Sequence, residues 1–229
     1  MKKCLSSTAL SLIAASAMLI DHAAAALLSG SAVYSPMRAI GRITFPIFLF
    51  LLIEGVEHTS SKPRYLARLA VFAVISELPF DLLFYKTAFY PQHQNAIFTL
   101  LICAAMLMLL KRFENEPISA FASFAACAVL ADIMRVDGGS MAVLLVLVFG
   151  CGKGFERAGA MLLFSLINNL FAGYNILTGL YIWNMAALPL ILCYNGKRGG
   201  ESCSQLIRKW GFYAFYPLHL TVLATIVRF

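Results

Sequence analysis

Ionisable side chains lie inside, or at the ends of, almost unbroken apolar runs, and this arrangement limits what the chain can fold into. The cases are Asp21-His22 at the end of the first run, the run from Arg38 to His58, and Glu77 with Asp81 in a third. An ionisable group exposed to lipid is costly, so in membranes such groups face the bundle interior, pair with one another and mark functional sites. The sequence therefore predicts a membrane protein with a polar site in its core.

The share of apolar residues predicts how many helices there are. Of 229 residues, 61% are hydrophobic and 13% charged, more apolar surface than a soluble domain of this size could bury. One crossing needs about 20 apolar residues. The chain is therefore predicted to be a single all-α integral membrane domain over residues 1–229, a polytopic bundle of about nine spans. The predicted helices are 5–28, 38–56, 65–85, 95–112, 117–133, 139–151, 157–172, 175–194 and 211–228.

Glycine and proline residues separate most of these helices. Four prolines instead fall within predicted helices, namely Pro46, Pro79, Pro189 and Pro217. A proline at such a position is expected to kink the helix and to free a backbone carbonyl that neighbouring groups satisfy.

The basic residues predict the orientation, because Lys and Arg concentrate in cytoplasmic loops. With a cytoplasmic N-terminus, nine crossings and an outer C-terminus, thirteen of the 18 Lys and Arg residues lie inside. These are Lys2, Lys3, Lys62, Arg64, Arg68, Lys111, Arg112, Lys153, Arg157, Lys197, Arg198, Arg208 and Lys209. The net charge of +7 is thus divided among short clusters between apolar segments, which argues against nucleic acid as a partner.

The start of the chain also resembles a signal peptide, with Lys2-Lys3, an apolar run and alanines at 23–26. We expect this segment to be retained, because Asp21-His22 interrupts it and the remainder is itself multispanning.

The predicted outer end of the bundle carries two charged pairs. Arg38 and Arg42 are four residues apart and share a helix face, as do Glu77 and Asp81. Either the two pairs form ion pairs between the second and third helices, or they position a substrate.

Three histidines are candidates for catalysis, since histidine is the usual general acid or base near neutral pH. His22 follows Asp21 at the end of the first helix, and His58 lies near Glu54 at the inner rim. His219 follows Pro217, where it could either donate to a backbone carbonyl or react.

Basic residues at the inner end, Lys62, Arg64 and Arg68, either set the topology or bind the phosphates of an anionic cytosolic cofactor. The six cysteines lack metal-ligand spacing and are expected to be apolar packing residues, Cys103 and Cys127 among them. We predict no metal site.

Several motifs follow one another in a fixed order: Arg38-Ala-Ile-Gly41-Arg42, Glu54-Gly55-Val-Glu-His58, Arg64-Tyr65-Leu-Ala-Arg68, Ser76-Glu77-Leu-Pro79-Phe80-Asp81 and Asn95-Ala-Ile-Phe98-Thr99. In this order they resemble the TraX family, the F-pilin acetylases. The segments Met18-Leu-Ile-Asp21-His22 and Tyr216-Pro217-Leu218-His219 are similar to that family's ends. The TraX family is in turn distantly similar to the membrane acyltransferase-three superfamily.

The resemblance implies an acetyltransferase of the bacterial inner membrane that moves acetyl from cytosolic acetyl-CoA to an amine or hydroxyl, such as a pilin N-terminus or an envelope glycan. It implies that His22 is catalytic, as a general base or transient acyl carrier, with Asp21 orienting it and His58 as the rival. Arg64 and Arg68, helped by Lys62, would bind acetyl-CoA. The residues expected to shape the cavity or position substrate are Arg38, Arg42, Glu54, His58, Glu77, Asp81 and His219.

Two other functions fit the same residues. A small proton-coupled transporter would use the acidic and histidine side chains as a relay, although the chain shows no inverted repeat. A non-catalytic assembly factor for a pilus or another envelope structure would need none of these groups in a reactive state.

Overall fold

The computed structural model describes residues 3–152, 155–199 and 205–228, and these residues form helices without a β-strand. The helices are α1 (Ser7–Leu27), α2 (Tyr34–Gly41), α3 (Thr44–His58), α4 (Lys62–Phe84), α5 (Ala96–Arg112), α6 (Pro117–Ile133), α7 (Gly139–Cys151), α8 (Phe155–Phe171), a 3₁₀ helix (Leu180–Ala186), α9 (Ala187–Leu192) and α10 (Gln205–Arg228). The predicted all-α class is confirmed, and each predicted helix overlaps at least one helix in the structure.

Local sequence explains where several helices begin. Ser6 caps α1 by accepting a hydrogen bond from the Ala9 amide, and Asn95 caps α5 by accepting from the Ile97 amide. Both bonds satisfy a first-turn amide that has no partner within the helix. Helices α4 and α6 instead have a proline in their first turn, where the missing N–H costs nothing.

All four prolines lie within helical stretches. Pro79 and Pro217 lie inside α4 and α10. Pro46 and Pro189 lie in the continuous stretches Tyr34–His58 and Leu180–Leu192. Just before each of these two, the regular helix is interrupted: α2 ends at Gly41, and a 3₁₀ helix precedes α9. An interruption about one turn before a proline is the expected effect of its missing N–H.

Apolar side chains cover both the inside and the outside of the helices. Leu10, Leu49 and Phe149 are fully buried in the core, whereas Val74 on α4 and Ile133 on α6 are 66% and 72% exposed. Three helical stretches among the described residues are long and apolar enough to cross a bilayer: Ser7–Leu27, Tyr34–His58 and Trp210–Val227. These faces indicate association with a membrane, because water would not stabilise them. Lys2 and Lys153, which contribute to the predicted orientation, lie outside the described residues.

Helices α1 and α2 pack closely where Gly41 faces Asp21. A Cβ atom built on Gly41 would collide with the Asp21 side chain, so this position needs a glycine. Gly159 on α8 offers a contrast, since nothing lies within 4 Å of a Cβ at that position.

We therefore predict that Gly41→Ala displaces the Asp21 side chain and destabilises the protein by about 1–3 kcal/mol, the usual cost of overpacking. The matched change Gly159→Ala should be neutral or stabilising by up to about 1 kcal/mol, since alanine favours a helix. Thermal unfolding of the two variants in the same detergent measures both effects. Equal unfolding midpoints would contradict the close approach.

Candidate functional site

The helices enclose a cavity of about 1050 Å³ that extends between two groups of polar side chains. One group lies near the C-terminal end of α1 and contains Asp21, His22, Arg38 and Arg42. The other lies near the N-terminal end of α1. Its members are Ser7, Glu54, His58, Arg64, Arg68, Tyr194 and Arg198.

Helix α1 sets the distance between the two groups. His22 follows Ser7 by fifteen residues, which is about 22 Å along the axis at 1.5 Å per residue. Both residues line the same cavity, so the cavity connects chemistry at two depths.

Asp21 binds both arginines of the outer group. Its carboxylate accepts from Arg38 Nη1 at 2.8 Å and from Arg42 Nη2 at 2.9 Å and 3.0 Å. The side chain of Asp21 is 9% exposed, against 20% and 15% for Arg38 and Arg42. Ion pairs this well buried hold their partners firmly, because neither charge can return to water if the other is lost.

This arrangement corrects two predictions. The arginine pair does not bind Glu77, because both guanidinium groups pair with Asp21 instead. Asp21 does not orient His22 either, since its two oxygens are directed to the arginines. Adjacent residues on a helix point about 100° apart, which separates the Asp21 carboxylate from the imidazole of His22.

His22 instead contacts His219. The Nδ1 atom of His22 lies 2.8 Å from Nε2 of His219, and Nδ1 of His219 lies 2.8 Å from the Phe215 carbonyl oxygen. A carbonyl only accepts, so His219 carries its proton on Nδ1 and accepts at Nε2. His22 must then donate from Nδ1, which leaves a lone pair on its Nε2. This pattern makes His22 a proton acceptor within the cavity wall.

His219 therefore has the role that was predicted for Asp21, because it is the side chain that orients the His22 ring. It is 93% buried and does not itself line the cavity, so it acts behind His22. Donation to a backbone carbonyl was one of the two alternatives predicted for His219. The contact between His219 and His22 was not predicted. These two residues are 197 positions apart, and no local pattern relates them.

Glu77 and Asp81 lie outside the cavity wall, so the prediction that they shape it is wrong. Glu77 accepts from the side-chain amide of Asn95, and Asp81 accepts from the Tyr90 amide at 2.7 Å. Both carboxylates thus hold the segment that follows α4, because its amides need acceptors where water is scarce.

Three basic residues of the inner group line the cavity. Arg68 lies over the rings of Tyr65 and Tyr213, at 5.5 Å and 5.9 Å from their centroids. Arg64 and Arg198 line the same region, whereas Lys62 does not. The sequence predicted only a topological role for Arg198, and it lines the cavity because residues 193–199 fold against the start of α1. There Lys197 and Arg198 carbonyls accept from the Ser7 and Thr8 amides.

The two remaining predicted residues of the inner group are partly occupied by other contacts. His58 contacts the Glu54 carbonyl oxygen of its own helix through Nδ1, at 2.9 Å, and is exposed. The Glu54 carboxylate accepts from the Tyr194 hydroxyl at 2.8 Å. Neither contact resembles the buried pairing of His22, so His58 is the weaker candidate base.

Several polar groups near His22 and the arginines were not among the predicted site residues. Tyr181 lies under the Arg42 guanidinium, 5.3 Å from it, and Asp137 is exposed on the cavity wall. Cys103 and Cys127 are buried and free, as predicted for packing residues. Among the residues that the structure describes, no group of three His, Cys, Asp or Glu side chains could hold a metal ion.

The fold and the cavity define a membrane-associated, all-helical protein with a polar interior. Residues 6–227 match the model of the TraX protein family, and the chain therefore belongs to that family. The chain is also similar to the "Probable fimbrial assembly protein FimC, serogroup H1" of Dichelobacter nodosus. The two are 30% identical over 234 residues, which cover 94% of this chain and 93% of the relative. No solved structure matches the chain.

The ion pairs predict a large effect of Asp21→Asn. This change leaves two guanidinium groups without their counter-charge, and we expect a loss of about 3 kcal/mol, the lower end for buried pairs, because both arginines keep some contact with solvent. Glu57→Gln, at an exposed carboxylate, is the control and should change stability by less than about 0.5 kcal/mol.

Thermal unfolding of Asp21→Asn, Arg42→Gln and the double variant measures the coupling. The losses should be less than additive, since either single change already removes the interaction. A comparable coupling between Arg42 and Glu77 would contradict the arrangement.

Proposed function

We propose that the chain is a membrane-embedded acetyltransferase that moves an acetyl group from acetyl-CoA to an amine or hydroxyl acceptor. One observation carries the proposal: a histidine with an accepting nitrogen and a cluster of arginines line one continuous cavity. Acyl transfer needs a base for the acceptor's proton and cations for the phosphates of CoA. These are the two groups that the cavity connects.

The arginine cluster is the proposed donor site. Arg64, Arg68 and Arg198 all line the cavity, and guanidinium groups bind phosphate through paired hydrogen bonds. From there the thin pantetheine arm would extend along the cavity and bring the thioester toward His22. Lys62 lies off the wall and contributes at most long-range charge.

His22 is the proposed general base. The acceptor's nitrogen or oxygen attacks the thioester carbon while its proton passes to Nε2 of His22. The carbonyl then re-forms, the carbon–sulfur bond breaks, and the proton on His22 passes to the departing thiolate. His219 holds the imidazole in the tautomer with a free Nε2, which is a positioning role.

The acceptor would enter beside Asp137, Tyr181 and the arginine pair. Membership of the TraX family supports a pilin N-terminus as the acceptor, and an envelope glycan is the other class with a suitable hydroxyl. The proposed setting is the bacterial inner membrane, with nine crossings, a cytoplasmic N-terminus and an outer C-terminus. In that orientation the arginine cluster faces cytosolic acetyl-CoA, and His22 faces the acceptor side.

A non-catalytic assembly factor is the second candidate, and the similarity to a probable fimbrial assembly protein favours it. Such a protein would promote pilus assembly without transferring acetyl. The two candidates differ in whether purified protein consumes acetyl-CoA.

We predict that His22→Ala lowers acetyl transfer by at least about 100-fold, the usual contribution of a general base. His219→Ala should lower kcat by less and leave the KM for acetyl-CoA unchanged, because His219 acts only through His22. The measurement is transfer from radiolabelled acetyl-CoA to a pilin N-terminal peptide or a glycan fragment, using full-length protein in lipid nanodiscs.

The control is His93→Ala, since His93 lines the cavity but stacks on Phe80, with ring centroids 5.9 Å apart. Normal transfer by His22→Ala would remove the catalytic assignment. Loss in His58→Ala instead of His22→Ala would move the base to the inner rim.

The donor site generates a separate prediction. Arg64→Ala and Arg68→Ala should each raise the KM for acetyl-CoA about tenfold with little change in kcat, since a phosphate contact is made equally in the ground and transition states. Higher salt should raise the KM of the wild type for acetyl-CoA and reduce the difference in KM between the wild type and the variants. Arg112→Ala, at the end of α5 and outside the cavity wall, is the basic control. An unchanged KM in both variants would exclude this donor site.

A further inference from the structure

Asn184 is a buried polar side chain without a partner. It is 3% exposed and lies on the cavity wall, and its Nδ2 atom makes no hydrogen bond with any described residue. A buried donor left unpaired costs about 1–3 kcal/mol. Ser76 Oγ and Arg157 Nε are also buried without a hydrogen-bond partner, but neither residue lines the cavity. Asn184 differs from them because it lies on the cavity wall, where an acceptor on a bound ligand could pair with its Nδ2.

The neighbouring asparagines show how this fold normally satisfies an amide. Asn168, also on the cavity wall, donates from Nδ2 to the Phe164 carbonyl of its own helix at 2.7 Å. Asn169 donates to the Ile176 carbonyl and accepts from the Tyr181 amide. Asn184 differs from both, since its amide group has no such bond in the part of the chain that the structure describes.

The depth of Asn184 follows from the direction of its helix. Tyr181 lies under Arg42 at the His22 end of the cavity, and Tyr194 binds Glu54 at the other end. The 3₁₀ helix and α9 thus run opposite to α1. Asn184 lies three residues beyond Tyr181, about 6 Å deeper at 2.0 Å per residue.

His22 and Asn184 both line the cavity, on helices that run in opposite directions. Side chains tilt toward the N-terminus of their own helix, so His22 is expected to lean inward from the end of α1 and Asn184 outward. This tilt is expected to bring the two side chains toward a similar depth, where the thioester must lie if His22 is the base.

We propose that Asn184 is a catalytic residue that donates a hydrogen bond from Nδ2 to the thioester oxygen; this inference rests on the proposed function. When the acceptor attacks, the carbonyl π electrons move to that oxygen, and Nδ2–H stabilises the negative charge. The charge returns to the carbonyl as the carbon–sulfur bond breaks. Arg38 and Arg42 are less suited to this role, because Asp21 already holds them.

The test compares Asn184→Ala and Asn184→Asp with Asn168→Ala as the matched control. Loss of one oxyanion donor typically lowers kcat by about 100- to 1,000-fold, and we expect both Asn184 variants to show this loss with a KM for acetyl-CoA within threefold. Aspartate keeps the shape of asparagine but places a negative charge where a donor is needed. Asn168→Ala should retain kcat within about twofold.

Measured affinities for CoA and acetyl-CoA show whether Asn184 donates to the thioester oxygen or to an amide carbonyl of the pantetheine arm. If Asn184 bound the arm, its variants would lose affinity for CoA and acetyl-CoA alike and keep kcat, and that result would overturn the proposal. Unchanged kcat in either soluble Asn184 variant would also overturn it. Should Asn184→Ala fail to purify, Asn184→Asp decides, with its unfolding midpoint as the check on folding.

Failure of the proposed function and failure of the role of Asn184 give different experimental results. Wild-type protein that neither binds nor consumes acetyl-CoA would remove the acetyltransferase, and Asn184 with it. Wild-type transfer with fully active Asn184 variants would remove only the role of Asn184.

Discussion

The salt bridge of Asp21 with Arg38 and Arg42 is the interaction on which the site depends. It joins the end of α1 to α2 at the point where Gly41 allows the helices to meet. The same contact uses up the only carboxylate beside His22 in sequence. His22 is thereby free to turn toward α10 and to pair with His219. The cluster of Asp21, Arg38 and Arg42 is thus structural. It affects the chemistry indirectly, because it leaves His219 as the partner of His22.

Scarcity of water explains the other polar contacts in the same way. Glu77 and Asp81 satisfy amides of the segment after α4, Asn95 caps α5, and the loop at 193–199 accepts from the first amides of α1. Each removes an unpaired group that lipid could not solvate. Seven buried side-chain atoms among the described residues nevertheless lack a partner, including one oxygen each of Glu77 and Asp81. Three of the seven, on Asn184, Arg38 and Arg68, belong to residues on the cavity wall, where a ligand can supply the missing partner.

Apolar continuity predicted the helices well, because each run is long and its ends carry glycine, proline or a polar cap. Spacing predicted that Arg38 and Arg42 share a face, and the structure places their side chains on one carboxylate. It could not predict which carboxylate, because Asp21 and Glu77 are equally plausible until the helices are packed. Pro46 and Pro189 predicted where two helices are interrupted, but not that α2 and a 3₁₀ helix form on the N-terminal side of these interruptions. Asn184 lies in an apolar stretch without periodic signal, so its lack of a partner is visible only in three dimensions.

Charge balance bears on the choice between the two catalytic roles proposed for His22. As an acyl carrier, His22 would hold acetyl on Nε2 while Nδ1 keeps its proton for His219, which makes the ring a cation. CoA thiolate would by then have left, and the cation would persist beside Arg38 and Arg42, which supply two positive charges against one from Asp21. As a general base, His22 becomes a cation only while the oxyanion or thiolate lies next to it. Opposite charges formed together in a site of low dielectric stabilise each other. The arginine pair therefore favours direct transfer from acetyl-CoA to the acceptor over an acetyl-enzyme intermediate.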